Sequence, residues 1–248
     1  MKRLTSPCLL LFAAMVFLLT SCGDGGTEEK TDKDTTTAEA TTTPATPEVV
    51  NTIVTTPQNM MTVIHKVSNF TKWKASYEEH DSMRLANGIH SYVIGRGVQD
   101  TNMVLVAVKA DDMAKAKAFA KDPSLKKAMQ KGGVKGTPAF SFVTMMWQDT
   151  SMLAPDMIRS RTDMTIKDWD TWQKAFTEGK QQRNDNGIVD RAYGYDPDNN
   201  KKVSLVTALT DTAKAFAYYK SDALKQRREA GGVIGEPKRF LFKVVQRY

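Results

Sequence analysis

The chain is poor in cysteine: Cys8 and Cys22 are the only two among 248 residues. Everything after Cys22 therefore lacks a thiol for a disulfide, a thiolate metal site or a nucleophile. The chain also lacks a Gly-rich phosphate loop and the Ser, His and Asp order of hydrolases, and its three histidines are not spaced with carboxylates as metal ligands are. We predict neither a metal nor a cofactor, and packing alone has to stabilise the fold.

Long hydrophobic runs are also scarce. The apolar stretch from Leu9 to Leu19 follows Lys2 and Arg3, and it is shorter than the roughly 20 residues that a membrane-spanning helix needs. A short apolar core behind two basic residues is the pattern of a secretory signal. We therefore predict a signal peptide over residues 1–21, and an exported protein without a nucleic-acid partner.

The sequence Leu19-Thr20-Ser21-Cys22 resembles the lipobox of bacterial lipoproteins. The resemblance implies cleavage before Cys22 and attachment of acyl chains such as palmitate to that residue. Two or more acyl chains hold a protein on a membrane effectively permanently. The expected location is the cell envelope, anchored through lipid on Cys22. Gly23 stands where an aspartate would resemble an inner-membrane retention signal, which favours the outer membrane if the cell is Gram-negative.

Residues 22–52 contain mainly Thr, Glu, Asp, Ala and Pro, with few large apolar side chains. Such a segment cannot bury enough surface to offset the entropy of ordering it. We predict that it is a disordered tether between the lipid and the folded part.

The charge of the chain is unevenly distributed. The formal net charge is +7, and setting aside the four basic and seven acidic residues of the first 50 leaves +10. This excess favours an anionic ligand of the envelope as a partner. The alternative is that well-spread lysines serve solubility, since no dense run of Lys or Arg is present.

An internal repeat organises the remaining sequence. Gly-Gly-Val-Lys-Gly-Thr-Pro at residues 132–138 returns as Gly-Gly-Val-Ile-Gly-Glu-Pro at 231–237, which is 99 positions later. The same offset, without a gap, superposes Trp73 on Trp172, Arg84 on Arg183, Asn87-Gly88-Ile89 on Asn186-Gly187-Ile188, and Gly95 on Gly194. Matches at one fixed period indicate a tandem repeat. We predict one repeat over residues 53–150 and a second over 151–248.

The sequence of each repeat predicts two strand-helix-strand units. The predicted elements of the first are a strand at 63–67, a helix from the N-cap Asn69 to Asn87, strands at 89–96 and 103–110, a helix broken at 122–124, and a strand at 139–144. Asp168 and Gly187 mark the corresponding first helix of the second repeat. The order βαββαβ is that of the ferredoxin-like unit, an α+β fold whose sheet has one bare face.

Three motifs of the first repeat resemble the dimeric α/β-barrel superfamily, especially domains related to antibiotic-biosynthesis monooxygenases. They are Phe-x-x-Trp-Lys at 70–74, Arg-x-x-Asn-Gly at 84–88, and the Gly-Val-x-Gly-x-Pro approach to the last strand. The resemblance implies two repeats packed sheet to sheet as an intramolecular dimeric α/β barrel, which makes the chain a monomer with an internal pseudo-dimer. Haem-degrading members use an Asn on the first strand, where this chain has His65, so haem cleavage is not implied.

Side chains at spacings of three and four share one face of the first helix: Phe70, Trp73, Tyr77, His80, Arg84 and Asn87. The aromatic part of this face is typical of core. Arg84 and Asn87 have two interpretations, a cation and a cap at the helix end, or the polar mouth of a cleft between helix and sheet.

All three histidines lie in the first repeat, and His65 and His80 correspond to Met164 and Gly179 in the second. The fold therefore does not require them. They are either ordinary histidines or part of a ligand site, for which we take His65, Trp73, His80, Arg84 and Tyr92 as the candidates.

Two functions follow from these patterns. The favoured one is a lipid-anchored protein that binds a small molecule or an envelope component without turning it over. The alternative is a cofactor-independent monooxygenase-like or isomerase-like enzyme, acting on an aromatic or polyketide-like molecule in the cleft of the first repeat.

Overall fold

The computed structural model describes residues 51–248. The predicted signal peptide, Cys22 and nearly all of the tether lie outside the described residues. The first half of the described chain contains β1 (Ile53–Val54), β2 (Gln58–Val67), α1 (Phe70–Glu79), α2 (Asp81–Ala86), β3 (Ile89–Gly97), β4 (Met103–Ala110), α3 (Met113–Phe119), α4 (Pro123–Lys131) and β5 (Val134–Asp149). The second half contains β6 (Ile158–Ile166), α5 (Trp169–Glu178), α6 (Lys180–Asp185), β7 (Ile188–Asp196), β8 (Asn199–Leu209), α7 (Thr212–Tyr219), α8 (Asp222–Ala230) and β9 (Val233–Arg247).

Side-chain caps start the helices where the sequence predicts. The Asn69 carboxamide oxygen accepts a hydrogen bond from the backbone N–H of Lys72, and the Asp168 carboxylate accepts one from Thr171. Each bond satisfies a donor that the first turn of a helix leaves free. Within residues 51–248, no helix is both long and apolar enough to cross a membrane.

The predicted single helix from Asn69 to Asn87 is wrong in one respect, because two helices occupy this stretch. His80 interrupts them with φ −98° and ψ 21°, outside the helical range. The break frees the carbonyl of Tyr77, which accepts a hydrogen bond from the Arg84 guanidinium at 2.6 Å. A buried carbonyl needs such a partner, so the arginine takes over a bond that a continuous helix would have made.

One antiparallel sheet contains all nine strands in the order β1-β5-β2-β4-β3-β9-β6-β8-β7, and β5 also pairs with β7. The sheet therefore closes on itself. Strands of the first and second halves meet at two seams, β3 with β9 and β5 with β7. The α+β class with a large antiparallel sheet is confirmed.

The last strand of the first half is longer than the predicted 139–144, since β5 runs from Val134 to Asp149. Gly136 and Pro138 lie in a bulge of β5 opposite His65, between the residues that pair with Ile64 and Lys66. The added C-terminal residues pair with β7 across the seam, a contact between residues far apart in sequence that local patterns do not reveal.

The two faces of the sheet bury different clusters. Met61, Val63 and Trp73 belong to the core between helices and sheet, whereas Met60 and Leu105 belong to the core inside the closed sheet. β4 is buried on both faces, as its apolar sequence predicts. Helices and sheet thus enclose two kinds of space, an outer cleft in each half and one interior.

Candidate functional site

An outer cleft of about 70 Å³ lies between the helices of the first half and the face of β2 and β4 that they cover. Four of the five candidate residues line it together: His65, Trp73, His80 and Arg84. Most other wall residues are apolar, among them Met61, Val106, Phe119 and Phe140. The cleft is thus an apolar space with a few polar groups, which is typical of small-molecule sites.

His65 is the most unusual group of this cleft. It projects from β2, only 3% of its surface is exposed, and neither ring nitrogen has a hydrogen-bond partner in the described part of the chain. Burial lowers the pKa of His65 to about 4, so the imidazole is neutral at neutral pH. A neutral imidazole offers one N–H donor and one acceptor nitrogen, and both stay available here.

Arg84 is buried in the last turn of α2. Its guanidinium lies 3.7 Å from the ring centroid of Tyr77 and donates to Asp81 at 2.8 Å. The Asp81 side chain is half exposed, so solvent weakens the attraction. Arg84 Nε has no acceptor within residues 51–248. The arginine therefore contributes an incompletely paired positive charge to the cleft wall.

His80 and Trp73 line the same cleft as His65 and Arg84. His80 is half-buried at the helix break, and its Nδ1 lies 2.7 Å from the carbonyl oxygen of Ser76. Because a carbonyl only accepts, Nδ1 carries a proton and donates it to this oxygen. The Trp73 ring lies 5.4 Å from His65 and stacks on Tyr77.

The structure places Tyr92 elsewhere, so its inclusion in this site is corrected. A β-bulge between Ser91 and Val93 makes Tyr92 the extra residue of β3. Ile89 and Ser91 face the helices, so strand alternation places Tyr92 on the other face, where it lines the interior of the closed sheet. Ser91 takes the place beside the helix, where its hydroxyl lies 2.8 Å from the Tyr77 hydroxyl.

Asn87 and the third histidine, His90, have ordinary structural roles. Asn87 donates its side-chain amide to the carbonyl of Met83 at 2.9 Å, as expected of a helix end. His90 is exposed and lies 3.0 Å from the Asp111 carboxylate. Among the described residues, no group of three or more His, Cys, Asp or Glu side chains is placed to hold a metal ion.

The corresponding cleft of the second half, about 90 Å³, differs in its polar groups. Met164 stands in place of His65. Arg183, the counterpart of Arg84, has a buried carboxylate partner in Asp190, whereas the first half has Ser91 at that position. Arg183 is therefore paired with a buried carboxylate, whereas Arg84 is paired only with the half-exposed Asp81.

The interior of the closed sheet holds a third cavity, of about 100 Å³, that sequence reasoning missed. Four arginines of the second half line it: Arg159, Arg161, Arg191 and Arg247. The positions 99 residues earlier, which line the same cavity, are Met60, Thr62, Tyr92 and Gln148. A comparison of the repeats for gained charge, and not only for lost histidine, would have found this difference.

No protein-family model matches the sequence, and no curated protein matches it. The structure is similar to a candidate monooxygenase from Fusobacterium nucleatum, with 13% identity, a TM-score of 0.51, and coverage of 76% of this chain and 93% of that one. It is also similar to an anthrone oxidase-like protein, with 14% identity, a TM-score of 0.54, and coverage of 79% and 95%. These structures belong to the ferredoxin-like, dimeric α/β-barrel superfamily, and at this identity the likeness concerns the fold.

Proposed function

We propose that the chain is a lipid-anchored protein of the cell envelope that binds a small molecule in the outer cleft of its first half. In this proposal the chain is a tandem of two ferredoxin-like repeats, 53–150 and 151–248, that act as an intramolecular dimeric α/β barrel. The lipobox-like Leu19-Thr20-Ser21-Cys22 supports the anchor. The 99-residue offset and the recurrence of the same strand and helix order support the tandem.

The observation that carries the binding proposal is the state of His65. A buried polar group without a hydrogen bond costs about 1–3 kcal/mol, and both ring nitrogens of His65 are in that position. A ligand that hydrogen-bonds to the ring recovers this free energy. Met164, 99 residues later, lines the second cleft, which supports the view that packing at this position does not require a histidine.

The size of the cleft limits the ligand. An engineered cavity of about 150 Å³ accommodates benzene, and this cleft has about 70 Å³. It holds a molecule of a few heavy atoms, or one end of a larger molecule that extends to the open side. Apolar contacts and one or two hydrogen-bonding atoms are the features that such a ligand needs.

The alternative is an enzyme, a cofactor-independent oxygenase or isomerase acting in the same cleft. This alternative is suggested by two structural neighbours, one described as a candidate monooxygenase and one as anthrone oxidase-like. Two facts weigh against it. The cleft of about 70 Å³ could enclose only one end of an aromatic or polyketide-like substrate, and a histidine with a pKa of about 4 is a poor general base at neutral pH.

The test identifies small molecules that stay with the purified full-length protein. Wild type, His65→Met and the reciprocal Met164→His are extracted, and the extracts are compared by mass spectrometry. We expect a molecule retained by wild type and Met164→His that His65→Met retains at least tenfold less. Equal retention by wild type and His65→Met contradicts the proposal. Oxygen uptake with anthrone that exceeds the rate without protein, and that His65→Met abolishes, would favour the enzyme instead.

A further inference from the structure

The cavity inside the closed sheet carries an excess of positive charge. Four arginines line it, and two of them are paired within the described residues: Arg161 with Asp163 at 3.0 Å and Arg191 with Asp149 at 2.8 Å. No carboxylate of residues 51–248 forms an ion pair with Arg159 or with Arg247. The described part of the chain thus leaves two positive charges at this cavity uncompensated.

Of these two unpaired arginines, Arg159 is the more deeply buried. Only 5% of its surface is exposed, and its Nε has no acceptor in the described structure. Burial, followed by the positive charges of Arg247 and Arg191, lowers the pKa of Arg159 to about 10. The side chain is still protonated at neutral pH. A buried charge without a partner strongly destabilises a fold, so the side chain has to be useful in another way.

The charge is not a requirement of the fold. Met60 occupies the position that corresponds to Arg159, and Gln148 the position that corresponds to Arg247, and both line the same cavity. The first half therefore closes the sheet with neutral side chains at these positions. The arginines are an addition confined to the second half.

The remaining wall is largely apolar and includes Val93, Leu105, Val143, Phe242 and Val244. We propose that this cavity binds a small organic carboxylate, whose oxygens accept hydrogen bonds from Arg159 and Arg247 and whose carbon chain packs on the apolar wall. Guanidinium and carboxylate form strong, charge-assisted hydrogen bonds with matching geometry. The apolar wall favours a carboxylate with a short carbon chain over an inorganic anion.

The charged end of the cavity lies near solvent. Arg247 is half-buried, and the neighbouring Tyr248 donates its backbone N–H to the Tyr92 carbonyl at 3.1 Å. Asp149, next to Arg191, is 18% exposed at its side chain. Arg247 is therefore the more accessible of the two unpaired arginines to an anion that enters from solvent.

This site is separate from the outer cleft and does not depend on the proposed function. His65 and Val63 face the cleft on one side of β2, whereas Met60 and Thr62 face the interior on the other side. The sheet itself divides the two spaces. A substitution in the cleft should therefore leave the interior site unchanged.

The experiment measures binding of butyrate and of the matched neutral amide, butyramide, to the full-length protein in detergent by calorimetry. We expect butyrate to bind at least tenfold more tightly than butyramide. Arg159→Met, which copies Met60, should weaken butyrate binding more than tenfold. Lys126→Met removes the same charge from an exposed position and should leave binding unchanged.

Equal binding of butyrate and butyramide, no detectable butyrate binding, or unchanged binding by a folded Arg159→Met variant overturns the proposal. If Arg159→Met does not fold, Arg247→Gln takes its place, because Arg247 is half-buried and Gln148 occupies the matching position. Unchanged butyrate binding by Arg247→Gln would then overturn the proposal. Weakened binding in this variant, with Lys126→Met unaffected, supports it.

Discussion

Arg183 and Asp190 form a two-pronged ion pair inside the second half, with Nε and Nη2 of the arginine 2.8 and 2.6 Å from the two carboxylate oxygens. Less than a tenth of either side chain is exposed. Arg84 repeats the position of Arg183 and its hydrogen bond to a helix carbonyl. Ser91 stands at the position that corresponds to Asp190. Arg84 therefore has only the half-exposed Asp81 as an ion-pair partner within residues 51–248, whereas Arg183 has a buried one.

Removing the buried carboxylate should therefore be costly. We expect Asp190→Asn to lower the free energy of unfolding by about 3 kcal/mol, because Arg183 would remain buried without its counter-ion. Urea unfolding measures the change. The control is Asp81→Asn, which removes the half-exposed partner of Arg84 and should cost less than about 1 kcal/mol. Equal losses in the two variants would show that burial of the pair has no energetic consequence.

His65 should make stability depend on pH. Its pKa is about 4 in the folded chain and about 6.5 when unfolded, so the unfolded chain binds more protons between these values. Stability is therefore fully present above pH 6.5 and falls by about 3 kcal/mol as the pH drops to 4. Urea unfolding of wild type and His65→Met across this range isolates the effect, since both variants share all other groups. Parallel pH profiles would refute it.

Replacing a glycine by alanine should lower the thermal stability by different amounts in the two seams of the sheet. A Cβ at Gly194, in the seam of β5 and β7, would lie 2.2 Å from the backbone oxygen of Thr144, whereas one at Gly95 would lie 2.4 Å from the side chain of Phe242. Backbone in a paired strand cannot move aside, but a ring can shift. We expect Gly194→Ala to lower the thermal midpoint more than Gly95→Ala. The reverse order would show that the seam of β5 and β7 is the more adaptable one.

The halves should depend on each other. A fragment that ends near residue 150 keeps β3 and β5 but loses their partners β9 and β7, and unpaired strand edges associate with other chains. We expect this fragment to dimerise or aggregate in analytical ultracentrifugation, while the full chain stays monomeric. A stable monomeric fragment with cooperative unfolding would contradict the proposal of an intramolecular barrel.

The anchor is tested by Cys22→Ala, which removes the proposed acylation site. We expect the variant to leave the detergent phase and the membrane fraction without unfolding, because it lacks the acyl chains that hold the protein there. Cys8→Ala lies within the predicted signal peptide and serves as the control that should remain anchored. Unchanged partitioning of Cys22→Ala excludes lipidation at this residue.

Local chemistry made much of the fold predictable. Asn69 and Asp168 start helices because a short polar side chain can satisfy a free backbone N–H, and β4 is recognisable because it is apolar on both faces. The helix break at His80 escaped prediction, because the spacing of side chains on one face continues across it. The length of β5 depends on its pairing with β7, which no local pattern records.

The sequence also indicated four of the five residues that were expected to share one cleft. His65, Trp73, His80 and Arg84 share one cleft because strand alternation and helix periodicity place them on facing surfaces. Tyr92 was misplaced because it directly follows Ser91, which faces the helices, and successive side chains of a strand point to opposite faces. The interior arginines were missed because their meeting depends on closure of the sheet, which brings β6, β7 and β9 around one cavity.

The closed sheet also determines how substitutions act. If two identical subunits formed such a sheet, every change would appear twice, and the interior would contain two copies of Arg159. Here both halves belong to one chain, so Met60 occupies the position of the second copy and the interior receives four arginines instead of eight. A single substitution therefore changes the charge of the interior cavity by one residue, whereas symmetry would make the same substitution act at two positions. The arginines of the cavity accordingly repel each other less than a doubled set would.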